Sequence, residues 1–300
     1  MKRLFFTLVL ATLATTLLNA QQNWFDKYKK LLNSNDTVAL KKCIMQWEKA
    51  NPESPDVIAA WYNYYIKRAM NNVLQLSTVQ PADGKQYMEL QNDTTKRTAG
   101  YLYEQTVYNP ELTKQAFAKI DEGIQKFPNR LDLPFGKVYV LLQQEEYDTA
   151  LKELEKVIER LKTNHSQWLW TQNKPLDNPK EFLIDTMQDY FRQLIGTPDN
   201  QLAYQLNEAM LTLYPEDIRL RSNKASLLAI GGKYFEALPL FASIHKDAPE
   251  DDIVTCNLAY CYEKTGDKKT AIVYYRQIAN SKNPDIAATS KQALHELKGR

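Results

Sequence analysis

The sequence predicts an all-α protein assembled from tandem antiparallel helix pairs, and three observations carry that reading. Glycine is scarce, with 9 in 300 residues, while the helix formers Ala, Leu, Lys, Glu and Gln dominate. From Tyr147 to Leu161 the apolar residues Ala150, Leu151, Leu154, Val157, Ile158 and Leu161 recur at helical spacing and leave a polar opposite face. Alanines also recur in one register: Ala116 and Ala150 are 34 residues apart, and so are Ala203, Ala237 and Ala271 in succession. A period of that length marks a repeat architecture, in which each helix pair buries its apolar face against its neighbours. No alternating strand pattern stands out along the chain.

Each segment takes its place in order. Met1-Lys2-Arg3, the apolar run Leu4–Leu18 and Asn19-Ala20 before Gln21-Gln22 read as a secretory signal peptide over 1–20, which predicts an exported protein, periplasmic or secreted. The chain has 38 Lys and Arg against 36 Asp and Glu; without Lys2 and Arg3 the balance is 36 to 36. A formally neutral chain with interspersed signs offers no electrostatic reason to bind nucleic acid or an anionic membrane. No stretch after the signal is apolar enough to span a bilayer, so no integral membrane segment is expected in the mature chain.

Residues 21–130 read as degenerate helical repeats. Asp36-Thr37-Val38-Ala39 followed by Pro52 is a worn copy, a polar run over 73–95 with Pro81 and Gly84 breaks the period, and Pro128 ends the helix that Ala116 opens. Residues 131–300 read as the array proper. Ala150 and Ala203 are 53 residues apart instead of 34, and the excess falls in an insertion over 163–180 that contains Trp168 and Trp170. Gly232, Ala237, Phe241 and Pro249 return one period later as Gly266, Ala271, Tyr275 and Asn283-Pro284. Residues 285–298 form a closing helix, with Ile286, Ala293, Leu294 and Leu297 inward, because the last pair would otherwise expose its core face.

A 34-residue helix–turn–helix unit with these residues resembles the tetratricopeptide repeat, best over Asn257–Asp267 and its partner helix with Ala271, Tyr275 and Ile278. The preceding unit matches through Ala225, Gly232-Lys233-Tyr234, Ala237, Phe241 and Pro249; the unit around Tyr147–Ala150 lacks the turn glycine and has Glu145 there. The resemblance implies a right-handed solenoid of about five or six repeats, some degenerate, whose first helices line a concave groove for a protein or peptide partner. In that register Phe135, Tyr139, Gln188, Arg192, Arg219, Ser222, Tyr260 and Glu263 face the groove. The Lys/Asn/Arg set with which the family clamps acidic carboxyl-terminal peptides is not found. Trp168 and Trp170 read either as rings packed back over the helices or as an exposed clamp for a peptide or glycan.

No chemistry-bearing constellation emerges. His165, His245 and His295 stand in no zinc-like cluster, and there is no phosphate loop, nucleophile elbow or HExxH motif. Asp121-Glu122, Glu145-Glu146 and Glu250-Asp251-Asp252 fall at helix ends and turns, where carboxylates suit the helix dipole. Cys43, Cys256 and Cys261 are odd in number and scattered, which suits packing better than a disulfide framework. The sequence therefore predicts a non-catalytic interaction scaffold or adaptor in the cell envelope, without cofactor or metal. A soluble carbohydrate-binding protein using the insertion tryptophans is the alternative, and an enzyme with an unrecognised site is the remaining one. Oligomeric state is not legible.

Overall fold

The computed structural model describes residues 23–81, 85–163, 167–197 and 200–298. The expected signal peptide over 1–20 and His165 lie outside these residues. The described chain forms two compact units. The first runs to Glu146 and takes back the segment that ends at Pro179; the second holds the helix that starts at Tyr147 and everything from Lys180 on.

In the first unit α1 (23–32), α2 (Thr37–Ala50), α3 (Pro55–Ala69), α4 (Pro110–Lys126) and α5 (Asp132–Gln143) supply the helical frame. Asp36 caps α2 by accepting from the Ala39 N–H at 2.8 Å, and Pro55 and Pro110 open α3 and α4, where a missing N–H costs nothing. One core gathers Tyr28, Leu40, Ile44, Trp47 and Trp61. A second joins Tyr62, Ile66, Ala116, Ile120, Leu133 and Val140 across α3, α4 and α5.

The sheet corrects one expectation. The polar run over 73–95, whose Gly84 lies outside the described residues, contributes β1 (Met70–Ser77) and β2 (Tyr87–Gln91) to a three-stranded antiparallel sheet with β3 (Thr98–Tyr108), in the order β1-β3-β2. It is inserted in the turn between α3 and α4. Met70 pairs with Tyr108 and the Asn109 N–H donates to the Ala69 carbonyl at 2.9 Å, so the chain leaves and re-enters the helices at one point. The alternation was invisible in sequence because every residue of β1 from Met70 to Leu76 is exposed, and a strand that buries neither face need not alternate. The all-α, tandem-hairpin class holds for the helical frame.

The second unit is α6 (Tyr147–Thr163), α7 (Pro179–Leu194), α8 (Gln201–Leu213), α9 (Ile218–Ile230), α10 (Tyr234–Asp247), α11 (Asp252–Lys264), α12 (Lys268–Ile278) and α13 (Pro284–Lys298). Its periodic positions fill as the spacing requires: Ala203, Ala237 and Ala271 are completely buried, as is Ala150 on α6, and Phe241 and Tyr275 lie in the cores that join successive pairs. Small residues there let helix backbones approach, and the rings fill the gaps between pairs. In the worn copy Ala39 is only half-buried, and Leu40 occupies the core beside it. Ile286, Ala293, Leu294 and Leu297 of α13 pack on the last core, as expected of a closing helix.

The turns explain the glycines. Gly232 and Gly266 sit at φ +75 and +92, a left-handed region that side chains disfavour. The Gly232 N–H donates to Ala229 and the Lys233 N–H to Leu228; the Glu145 N–H donates to Leu142 and the Glu146 N–H to Leu141 in the same pattern. Glu145 makes that turn without a glycine, at φ +61.

Candidate functional site

Of the insertion expected over 163–180, the described residues 167–179 are anchored in the first unit. Leu169–Trp170 and Lys174–Pro175 form a two-residue ladder, β4 and β5, and the Leu131 N–H donates to the Leu169 carbonyl at 3.0 Å. Beneath it the Arg130 guanidinium is almost fully buried and reaches Asp56 at 2.7 Å, Asp132 at 2.8 Å and the Asn173 side chain at 2.9 Å. The Gln172 N–H donates to the same Asp56 oxygen at 2.9 Å, and the Thr171 hydroxyl donates to Asp132 at 3.1 Å. Burial alone would lower the Arg130 pKa, but the hydrogen bonds and charge of Asp132 and Asp56 outweigh it and hold it above its ordinary value.

This anchoring decides the tryptophans. Trp168 is 7% exposed, and Trp170 is half-buried with its ring 6.3 Å from that of Phe135. Phe135, which register placed toward the groove, is itself buried against Trp170, and the burial of Trp168 favours rings packed back over the helices. Tyr139, on the same helix as Phe135, is exposed.

In the second unit α7, α9 and α11 line an open groove of about 430 Å³. It gathers four of the residues placed there by register, Gln188, Arg192, Arg219 and Ser222, and adds Asp185, Asp189, Asn223, Asp251 and Ile253. Its floor is a ladder of amides. Asn207 is buried and donates to the Leu220 carbonyl at 3.0 Å, while Asn223 donates to Asn207 at 3.1 Å and to Gln188 at 3.2 Å. The ladder ties α7, α8 and α9 together, although the buried Nε2 of Gln188 has no hydrogen-bond partner among the described residues.

Arg219 has another role than the one its position suggested. Its guanidinium bonds Asp185 and Glu181 at 2.9 Å and Asp217 at 3.0 Å, and these bonds, that to Asp217 first, push its pKa up. Asp217 also caps α9 through the Arg219 N–H at 3.1 Å. Burial would raise the Asp217 pKa, but Arg219 and the N–H groups at the helix start bring it below its ordinary 3.8. Arg219 is thus a clamp between α7 and α9, with four of its five N–H donors already used. Arg192 pairs with Asp189 one turn away on α7, and both are exposed. Asp251 is spent on the α11 cap, accepting from the Ile253 N–H at 2.9 Å and the Val254 N–H at 3.1 Å.

Tyr260 and Glu263 lie apart from this groove. Tyr260 meets Tyr234 edge to face at 5.8 Å and carries Lys264 over its ring, while Glu263 accepts from the Tyr275 hydroxyl at 3.0 Å. Burial first, then Glu263, raises the Tyr275 pKa. All three cysteines are free, with Cys43 and Cys261 buried, and burial pushes the Cys261 thiol up to about 11. Among the described residues no group of three or more His, Cys, Asp or Glu is arranged to hold a metal ion.

The acidic lining was missed because Asp251 reads in sequence as a helix-end charge and no motif singles out Asp185 or Asp189. The one available signal was the register that found Gln188 and Arg192, since Asp185 and Asp189 flank them on the same helix.

Comparison with known proteins now bears on the hairpins. Residues 255–283 match the tetratricopeptide repeat family model. A solved tetratricopeptide repeat protein from Parabacteroides merdae is similar at 11% identity and a TM-score of 0.41, covering 94% of this chain and 93% of its own. YrrB, described as a tetratricopeptide repeat protein with an unusual peptide-binding site, is similar at 19% identity and 0.39, covering 62% and 83%. MamA from Desulfovibrio magneticus is similar at 15% and 0.38, covering 56% and 92%. None of the curated proteins matches the chain.

Proposed function

We propose that this tetratricopeptide-repeat chain is a non-catalytic scaffold of the cell envelope that holds an extended segment of a partner protein in the groove of α7, α9 and α11. The observation that carries the reading is the meeting of Gln188, Arg192, Arg219 and Ser222 in one groove whose floor is locked by the Asn207–Asn223–Gln188 ladder. A floor fixed before binding lowers the ordering cost of holding a flexible partner. Around the groove Arg192 and Arg219 are outnumbered by Glu181, Asp185, Asp189, Asp217 and Asp251, so the local sign is negative and the partner segment carries Lys or Arg. Support for the envelope is the Met1–Ala20 pattern. No helix among the described residues is long and apolar enough to cross a membrane.

The test is capture from an envelope fraction with the full chain and with Ser222→Trp, which puts a large ring into the groove and leaves the Arg219 side chain in place. Phe235→Ala, an exposed position on α10, is the control. Ser222→Trp is expected to reduce capture of the bound protein at least tenfold while the control retains it. Equal capture by all three would sink the groove.

A further inference from the structure

The sheet over 70–108 has a feature the groove reading does not use. Paired residues of antiparallel strands share a face, so Asn72, Leu74 and Leu76 of β1 lie with Met88 and Leu90 of β2 and Leu102, Glu104 and Thr106 of β3. Leu74, Leu76 and Met88 are 75%, 66% and 62% exposed. Exposed apolar residues gathered on one sheet face mark a contact surface. The two sheet edges differ. β2 is short, carries Glu89 with Lys85 just before it, and shifts register between Leu90 and Gln91, and charge and bulges are devices that discourage edge pairing. β1 has none of them. From Met70 to Gln80 the sequence holds no charged residue and no proline, in a chain that is 25% charged. Among the described residues β1 ladders with β3 alone.

We propose that β1 is the interface for a second copy of this chain, added antiparallel edge to edge to make one continuous six-stranded sheet. The strand is self-complementary. A twofold axis through Gln75 sets Leu74 of each copy opposite Leu76 of the other on the apolar face, and sets Val73 opposite Ser77, with no charge facing a like charge. β2, at the other edge, is closed to the same pairing by its charges and bulge, so assembly stops at two. The interface is independent of the groove, which lies in the other unit.

The full chain is measured by sedimentation and light scattering from low to high micromolar concentration, beside Leu74→Lys/Leu76→Lys and Gln75→Cys. The expected result is a concentration-dependent dimer whose dissociation constant rises at least tenfold in the double variant. Gln75→Cys is expected to give a disulfide-linked dimer under mild oxidation, because residues facing across a strand dyad lie within about 4.5–5.5 Å, inside the window for a bridge. Val38→Cys, exposed on α2, is expected not to crosslink. If the double variant does not fold, the Gln75→Cys result alone decides. A monomer at hundreds of micromolar overturns the proposal. So does a dimer that neither the charges weaken nor Gln75→Cys traps, and so does protection of β1 amides that appears only when a different protein is added.

Discussion

Arg130 and Arg219 both gather carboxylates, one in each unit, and they differ in what surrounds them. Arg130 is walled in with Asp56 and Asp132; it donates to the Asn173 side chain, and Asp56 accepts from the Gln172 N–H. Arg219 has 37% of its side chain in water, and Glu181 and Asp185 have 47% and 70%. The pairing chemistry is the same, yet its weight differs: a buried charge that loses its partner stays desolvated, whereas an exposed one returns to water. The first unit therefore concentrates its specificity in a few polar atoms. The second spreads its stability over repeated apolar contacts and uses Arg219 as a trim between two helices.

The largest expected effect is that of Arg130→Ala, which strands Asp56 and Asp132 and is expected to cost about 3–5 kcal/mol in urea unfolding. Trp168 emission should shift red in the same variant as the insertion loosens. Adding Asp56→Asn and Asp132→Asn should recover part of the loss, and a failure to recover would break the comparison. Arg219→Ala is expected to cost about 1 kcal/mol or less, with the cost shrinking further at high salt because the cluster is open to ions. A cost as large as that of Arg130→Ala would erase the distinction. The smallest effect runs the other way. Glu145→Gly removes a left-handed side-chain residue from a turn that Gly232 and Gly266 make without strain, and is expected to raise stability by about 0.5 kcal/mol. Thermal unfolding that shows no gain would mean the turn is already relaxed.

The hairpins were legible because burial of Ala203, Ala237 and Ala271 is enforced by close helix approach, and that constraint leaves a period in the sequence. Glu145 was legible as a missing glycine for the same reason. The sheet left no trace, since a period of two appears only where one face is buried and Met70–Leu76 buries neither. The Arg130 cluster was hidden differently. Arg130 follows the breaker Phe127-Pro128-Asn129, and an arginine in a turn reads as surface; nothing local reveals that Asp56, 74 positions earlier, meets it. Of the site, register alone recovered Gln188, Arg192, Arg219 and Ser222, but not the carboxylates that occupy Arg219. It placed Trp168 at the right insertion and left its burial open.

The Arg130 cluster also fixes an order of events during synthesis. Asp56 emerges first, its cation follows 74 residues later, and the Gln172 N–H comes 116 residues after Asp56. Between them the chain makes α6, which belongs to the other unit. The first unit is therefore discontinuous, and a chain growing from its amino terminus cannot complete it until α6 has been produced and passed over. Closing so long a loop slows folding, so until Gln172 and Asn173 have emerged the Asp56–Arg130 pair lacks the bonds that the insertion brings to it.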